Sequence, residues 1–326
     1  MKRTHISIPI AMAFVIYAFI ACTKNNADQY IDTSSSTQLI EQETFAGPVN
    51  IDSILKMETI AAIPFPQSGS FNCQIGQLYH DSILYDQKGS SSSFVVKVNK
   101  NPGVGKYYSW PQGLAIDSVT GSINVTASTG GYRYIVGFVK SGSRDTCLQQ
   151  ILIAGATYKD GVYVLGNNDT LIYPYFNANP AGTAICDNSG DGDYQDNQGN
   201  GNGNHRCEFD AEDHQGKKGR ANIKHVKVRT ISGAINLRKT LEEGAFGTTT
   251  PANGQGIMVP VYYKLQDKGN KALQKVNVQL IYYNSQTEIP ATLLSYIDRR
   301  KTRTESRALI APDGNPRPPL IVITRS

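Results

Sequence analysis

The feature that most constrains the fold is a succession of short alternating segments separated by turn residues. From Phe45 to about Tyr175, no segment keeps the 3.6-residue hydrophobic period of a long amphipathic helix. Instead, apolar side chains recur at every second position, as in Phe94–Val98, which directs one face of each segment toward a core. Short strands with this spacing are typical of an all-β sandwich.

One stretch within this region has a more specific pattern. Residues 111–123 read PQGLAIDSVTGSI, and an alternating strand begins at Tyr132. Asp117–Gly121 has the composition of a tight turn, in which Gly121 accommodates a positive φ. The region of about 105–155 resembles the immunoglobulin/cadherin-like module of bacterial surface proteins. This resemblance implies an immunoglobulin-like sandwich, although the D-x-N-D-N runs that bind calcium in cadherins are absent from it.

The length of 326 residues favours two domains. We expect a sandwich domain over 45–176, a Gly-, Asn- and Asp-rich linker or loop over 177–219, and a C-terminal domain over 220–326. The C-terminal part contains a predicted hairpin of two long strands, a helix over Ala291–Arg303 and a last buried strand. The predicted fold class is therefore all-β: an immunoglobulin-like β-sandwich followed by a second mostly-β domain with one helix.

Local patterns add several expectations. Gly161–Leu165 and Thr170–Tyr173 flank a Gly-Asn-Asn-Asp turn and predict a hairpin, and Ile223–Val228 predicts a strand. Pro260 lies within a long strand pattern, so we expect an edge or a bulge there. The helical residues expected to face the core are Leu293, Leu294 and Ile297.

The first 22 residues, MKRTHISIPIAMAFVIYAFIAC, indicate where the protein works. A basic start precedes an apolar run that is short for a membrane span. Phe19–Cys22 resembles a lipobox, and the polar segment after it resembles that of Bacteroidota lipoproteins. The resemblance implies a signal peptide over 1–21, acylation of Cys22 (for example by palmitate) and a flexible tether over 22–44. The implied location is the outer membrane, lipid-anchored and facing the periplasm or the cell surface. An ordinary secretory signal or a single-pass anchor is the alternative.

Cysteine usage agrees with an oxidising compartment. With Cys22 acylated, four of the five cysteines remain, which is an even number. Three pairings are possible. We expect Cys186–Cys207 to close one polar loop and Cys73–Cys147 to staple the first domain.

The loop between Cys186 and Cys207 contains part of a calcium-binding pattern. Oxygen-bearing side chains alternate around Gly192, and the candidate ligands are Asp187, Ser189, Asp191 and Asp193. Gln198 replaces the bidentate Glu of a complete motif, so a solvated acidic loop is the alternative. A zinc site is a further alternative, with His205, Cys207, Asp210, Asp213 and His214 as candidate ligands, but the use of Cys207 would compete with the disulfide. We expect no other cofactor.

Two further patterns concern ligands. Trp110, with Tyr107 and Tyr108, forms a candidate aromatic platform for a sugar ring, and partial burial in the core is the alternative. From Lys217 onward there are 19 Lys and Arg against seven Asp and Glu. Without an aromatic-interleaved motif we interpret this as a solvated basic surface rather than a nucleic-acid site.

The sequence contains no dinucleotide fingerprint, phosphate-binding loop or catalytic constellation in the expected structural context. We therefore expect no catalytic residues and no enzymatic activity. The leading hypothesis is a non-enzymatic, lipid-anchored envelope protein for adhesion, scaffolding or ligand presentation, whose partner is an envelope protein or a glycan. A glycan-binding accessory lipoprotein of a nutrient-uptake system is the alternative, and an envelope hydrolase is the third possibility.

Overall fold

Three hydrophobic cores organise the chain, one inside a sandwich and two on opposite faces of a larger sheet. A computed structural model describes residues 45–48, 76–89, 91–110, 113–142, 146–167, 170–187, 194, 205–214, 216, 220–305 and 318–326. Residues Gln38–Ser326 form one compact unit. In the described part of the chain, no helix is long and apolar enough to cross a membrane.

Seven short strands surround the sandwich core. They are β2 (Ile83–Leu84), β3 (Val95–Val96), β4 (Gly105–Trp110), β5 (Ala115–Ile116), β6 (Ile123–Asn124), β7 (Tyr132–Lys140) and β8 (Thr146–Ile153). One sheet has the order β2-β8-β7-β4 and the other β3-β6-β5. If β2 to β8 are lettered A′ to G in chain order, the sheets are A′GFC and BED. An immunoglobulin fold divides strands B to G in this way, so the predicted immunoglobulin-like sandwich is confirmed.

Turns and tyrosines hold these short strands in register. The Asp117 carboxylate accepts the N–H groups of Val119 and Thr120 at 2.9 and 2.6 Å, and Gly121 has φ +69°. The tight turn predicted at Asp117–Gly121 is therefore present. In strand β7, the Tyr134 hydroxyl donates to the carbonyl oxygen of Thr129 at 2.8 Å. A tyrosine that bonds back to the preceding corner is a hallmark of immunoglobulin-like domains.

A six-stranded mixed sheet forms the centre of the remaining structure. Its strands are β1 (Phe45–Pro48), β10 (Gly161–Val164), β13 (Cys207–Phe209), β15 (Gln255–Leu265), β16 (Leu273–Tyr283) and β17 (Leu320–Thr324). The order is β1-β15-β16-β17-β10, and β13 also pairs with β15. Strands β15 and β16 form the hairpin predicted from the sequence.

Pro260 occupies the position in this sheet that its chemistry requires. On the outer edge of β15, strand β1 pairs with residues 255–258 and β13 with residues 263–265. Pro260 lies in the gap between them, where an N–H would have no strand partner. The strand is therefore locally an edge at Pro260, as expected.

Two pairs of short strands and two short helices accompany the sheet. These elements are β9 (Ala156–Tyr158), β11 (Leu171–Ile172), β12 (Pro174–Phe176), β14 (Ile235–Asn236), α1 (Arg220–Ile223) and α2 (Leu237–Glu242). Strand β9 pairs with β12, and β11 with β14. Single-turn 3-10 helices follow β10 and β16, over Leu165–Asn167 and Gln286–Glu288.

Helix α3 (Ala291–Glu305) connects the parallel strands β16 and β17 across one face of the sheet. Leu293, Tyr296 and Ile297 are buried there, whereas Leu294 is 36% exposed. The expected burial of Leu294 is therefore wrong, because the sheet contacts a narrower stripe of the helix than predicted. A buried ion pair joins Arg300 of this helix to Asp160, with Nη2 2.9 Å from Oδ1.

Several local predictions differ from the structure. The segments expected to form a hairpin at 161–173 separate, because β10 pairs with β17 and β11 with β14. The strand predicted over Ile223–Val228 is wrong, because Ile223 ends helix α1 and Val228 forms an isolated bridge with Ile235. Strands β9 to β12 contribute to the core of the large sheet, so the change of core falls after Ile153 rather than after residue 176. Part of the expected linker also forms β13.

A tyrosine and a glycine join the sandwich to the large sheet. The hydroxyl of buried Tyr263, on β15, accepts the N–H of Ala156 at 3.0 Å, directly after the sandwich ends. A Cβ atom on Gly155 would lie 2.8 Å from this hydroxyl and 2.8 Å from the Gly131 nitrogen. Only glycine fits this approach, which brings the two cores into close contact.

Candidate functional site

The aromatic platform predicted from the sequence is wrong for two of its three residues. Tyr107 is 3% exposed and packs against Phe138 in the sandwich core, with ring centroids 4.9 Å apart. Trp110 is 5% exposed, and only Tyr108 is half-buried. Stacking on a sugar requires an open ring face, which neither buried ring offers. Strand β4 uses both residues for packing instead.

The cysteines follow the predicted pairing where they are described. Cys186 and Cys207 form a disulfide with Cα atoms 5.3 Å apart, and it ties β13 to the irregular segment that follows β12. Cys147 is also disulfide-bonded, and its partner lies outside the described residues. Cys73 and Cys22 lie outside them too, so their pairing and acylation stay predictions.

The acidic residues near Cys207 have structural partners. The Asp210 carboxylate accepts the backbone N–H groups of Ala221 and Asn222 at 2.8 and 2.9 Å, at the start of helix α1. Asp213 forms an ion pair with Arg220 at 2.5 Å. Because Cys207 is in a disulfide and both carboxylates hold helix α1, the zinc alternative is wrong.

The calcium pattern lies largely outside the described residues. Asp187 is half-buried at its start, whereas Ser189, Asp191 and Asp193 are not described. Among the residues that are described, no three His, Cys, Asp or Glu side chains come together as metal ligands. Calcium binding by this loop stays a prediction.

A groove opens where the chain crosses from one sandwich sheet to the other. The carbonyl oxygen of Leu78 accepts the N–H of Asn99, beyond the end of β3, and that of Ser82 accepts the N–H of Leu152 on β8. Between these points the chain leaves one sheet and joins the other. The groove beside this crossing has a volume of about 340 Å³, within the range of small ligand sites. Its lining residues are Asp81, Ser82, Ile83, Leu84, Tyr85, Gln87, Phe94, Val96 and Lys268.

The backbone of β3 is open toward this groove. Phe94 accepts the N–H of Val125, and Val96 pairs with Ile123, so both residues direct their backbone groups toward β6. Val95 lies between them, and alternation directs its N–H and C=O the opposite way. No described residue pairs with that edge. The side chain of Val95 is 45% exposed.

The wall opposite β3 contains an aromatic ring and a cation. The Lys268 ammonium, on the β15–β16 turn, lies 5.8 Å from the centroid of the Tyr85 ring. Burial, and to a lesser degree the charge of Asp267, raises the pKa of Tyr85. Burial also raises the pKa of Asp267, whose carboxylate accepts the Gly269 N–H at 2.7 Å. Lys268 forms no ion pair with the described carboxylates.

Sequence reasoning found the alternation of Phe94–Val98 but missed the groove. The reason is that an edge is a property of tertiary pairing, and nothing in the segment itself says which side lacks a neighbour. Lys268 is distant in sequence from Tyr85 and reaches it only because the hairpin tip contacts the sandwich, where Gly269 approaches the Asp86 backbone. Two of the exposed large apolar residues, Ile83 and Val95, lie at the two sheet edges beside the groove.

Comparison with known families and with curated proteins finds no match for this sequence. Among solved structures, the chain matches cadherin ectodomains at low TM-scores. Drosophila N-cadherin EC1-4 is 11% identical with a TM-score of 0.19, over 62% of this chain and 47% of that one. Human protocadherin-24 EC1-2 is 7% identical with a TM-score of 0.18, over 62% of this chain and 93% of that one. The assignment of the sandwich rests on its strand order rather than on these scores.

Proposed function

We propose that this protein is a lipid-anchored envelope protein that works as a non-enzymatic module for adhesion, scaffolding or ligand presentation. The observation that carries this proposal is the immunoglobulin-like sandwich, which packs against a second sheet and whose β3 edge pairs with no described residue. Function on such folds usually lies in loops and edges that a rigid scaffold positions. The edge of β3, which borders the groove, is an edge of this kind.

The buried carboxylates support a structural rather than a catalytic use of the interior. Asp160 accepts the N–H of Leu320 and pairs with Arg300, while Asp210 holds the start of helix α1. A general acid or base must reach a substrate with its proton-transferring atom. These carboxylates instead fix elements of the fold.

Attachment is proposed through acylated Cys22, at the outer membrane and facing the periplasm or the cell surface. More than one acyl chain gives stable anchoring, whereas a single chain gives only reversible binding. A tether over residues 22–44 would hold the sandwich away from the lipid surface.

The test of attachment compares Cys22→Ala with wild type and with the neighbouring variant Thr23→Ala. Metabolic labelling with a palmitate analogue should label wild type and Thr23→Ala but not Cys22→Ala. Cys22→Ala should leave the outer-membrane fraction, and protease treatment of intact cells should report which side the protein faces. Retention of unlabelled Cys22→Ala in the membrane fraction would contradict anchoring through this residue.

The module's role is tested by deleting the gene and restoring it as wild type or as Cys22→Ala. We expect loss of cell attachment or of envelope integrity, restored only by the anchored protein. Turnover of an envelope polymer by the purified chain, lost on changing a single carboxylate, would instead support the hydrolase. Glycan binding cannot use Tyr107 and Trp110 as a stacking platform, because both rings are buried. A glycan array probed with the purified chain tests the glycan-binding alternative directly.

A further inference from the structure

We propose that the groove beside β3 binds an extended, acidic peptide segment of another protein, which adds to the sandwich as a strand. This inference rests on the proposed function as a binding module and names the chemistry of its partner. Three observations carry it: a strand edge that no described residue pairs with, an apolar floor with the spacing of a strand, and a cation that forms no ion pair with the described carboxylates.

The unpaired edge supplies the main-chain hydrogen bonds. Val95 directs its N–H and C=O away from β6, and the alternation of exposure continues from Phe94 to Asn99. Lys97 therefore shares the outward direction of Val95. An extended peptide can pair with such an edge, and its backbone supplies affinity irrespective of sequence.

The floor selects the side chains of the added strand. Phe94 and Val96 face inward and pack against the sandwich core, yet both stay half-exposed at the groove, beside buried Leu84. A strand laid along β3 would place every second side chain over these residues, because side chains alternate between faces. Apolar residues at alternate positions of the peptide would complete the core at this edge.

The cation selects the charge. Lys268 lies over the face of Tyr85, lines the groove and forms no ion pair with the described residues. The nearby Asp267 carboxylate is engaged with the Gly269 N–H inside the turn. A carboxylate on the bound segment would pair with the Lys268 ammonium, which is solvent-exposed, so the pair would add modestly to the affinity.

The experiment presents the mature full-length chain, in detergent, with a phage-displayed library of random peptides. We expect enriched peptides to alternate apolar residues and to carry Asp or Glu. The best synthetic peptide should protect the Val95 amide from hydrogen exchange. Its counterpart N-methylated at alternate amides should bind at least about 10-fold more weakly, which corresponds to about 1.4 kcal/mol.

Protein variants complete the test. Val95→Pro removes the outward N–H while Phe94 and Val96 keep their pairing to β6, so peptide affinity should fall by a similar factor. Val95→Thr, which keeps the N–H, should bind nearly as wild type. Lys268→Ala should weaken acidic peptides several-fold, whereas Lys224→Ala, at an exposed lysine outside the groove, should not.

Four outcomes would overturn the inference. They are absence of enrichment, equal binding of the N-methylated peptide, self-association of the chain that Val95→Pro abolishes, and capture of a glycan that Val95→Pro leaves unchanged. The N-methylated peptide keeps the test decisive even if Val95→Pro fails to fold. If peptide binding fails while Cys22 still anchors the protein and the wild-type gene still restores attachment or envelope integrity, the peptide ligand is excluded but the proposed function stands.

Discussion

The sandwich and the large sheet solve the same problem of covering β-strands in different ways. In the sandwich, β2, β3, β5 and β6 are two residues long, and side-chain hydrogen bonds at turns supplement their pairing. In the large sheet, β15 and β16 each span 11 residues, and β17 is buried along its whole length. The sandwich therefore leaves strand edges open, whereas the large sheet has a hydrophobic core on each face.

This difference separates stability from recognition. A sheet covered on both faces reads as nearly continuous apolar sequence, as Leu320–Ile323 does, and offers little surface for a partner. A small sandwich alternates inward and outward residues and leaves edges available. We therefore expect the largest stability effects in the large sheet and the binding effects at β3.

The largest effect is expected at the ion pair beneath helix α3. Arg300→Met would leave the buried Asp160 carboxylate with the Leu320 N–H as its remaining described hydrogen-bond partner, which should lower the free energy of unfolding by about 3–5 kcal/mol. Chemical denaturation measures this. The double variant Asp160→Asn/Arg300→Met should be more stable than Arg300→Met alone, because no uncompensated charge remains. Additive losses in this cycle would show that the two groups do not interact.

The second prediction tests coverage of both faces directly. Leu280 and Ile281 are neighbours on β16 but face different cores, and both are fully buried. Leu280→Ala and Ile281→Ala should each destabilise the chain by about 2–5 kcal/mol. On β3, Val95→Ala should change the free energy of unfolding by less than about 0.5 kcal/mol, since its side chain faces outward. A small effect of Ile281→Ala would mean that helix α3 does not form a true second core.

The third prediction concerns the disulfide beside β13. Replacing Cys186 and Cys207 by Ser should cost about 3 kcal/mol, because the bridge closes a 21-residue separation in the unfolded chain. Hydrogen exchange should increase around β13 and the segment that contains Cys186, while the amides of β7 and β8 keep their protection. Equal loosening of the sandwich would show that the two regions unfold as one.

Composition and periodicity predicted the elements whose signal is local. The β15–β16 hairpin, the turn at Asp117–Gly121 and the edge at Pro260 follow from alternation, turn chemistry and a missing N–H. The Cys186–Cys207 bridge was also predicted, because among the three possible pairings it closes one local polar loop.

Elements that depend on distant partners could not be predicted in the same way. The segment Gly161–Val164 reads as half of a hairpin, yet it pairs in parallel with a strand about 160 residues later. Trp110 was interpreted as part of an aromatic platform because the residues that bury it are distant in sequence, so the residues next to it in the sequence give no sign of its burial. The groove combines the β3 edge of the sandwich with Lys268 from the β15–β16 turn of the large sheet, so neither part alone indicates a site.

The smallest expected effect tests whether turn chemistry stabilises the short strands. Hydrogen bonds from the N–H groups of Thr120 and Val119, partly offset by desolvation, lower the pKa of Asp117 below its ordinary value of 3.8. The stabilisation is therefore complete above the unfolded pKa and is lost as pH falls through the lower folded pKa. Because the carboxylate is exposed and screened, we expect less than about 1 kcal/mol.

Asp117→Asn keeps the acceptor oxygen and removes the charge, so it isolates this contribution. Urea unfolding at pH 6 should show the variant less stable than wild type, and the difference should shrink as pH falls through the folded pKa of Asp117 and its carboxylate becomes protonated. Glu242→Gln, at an exposed carboxylate on α2, controls for the loss of one negative charge. If the difference persists unchanged at pH 2, the turn is stabilised by its backbone conformation, and the short strands owe their register to packing rather than to the Asp117 carboxylate.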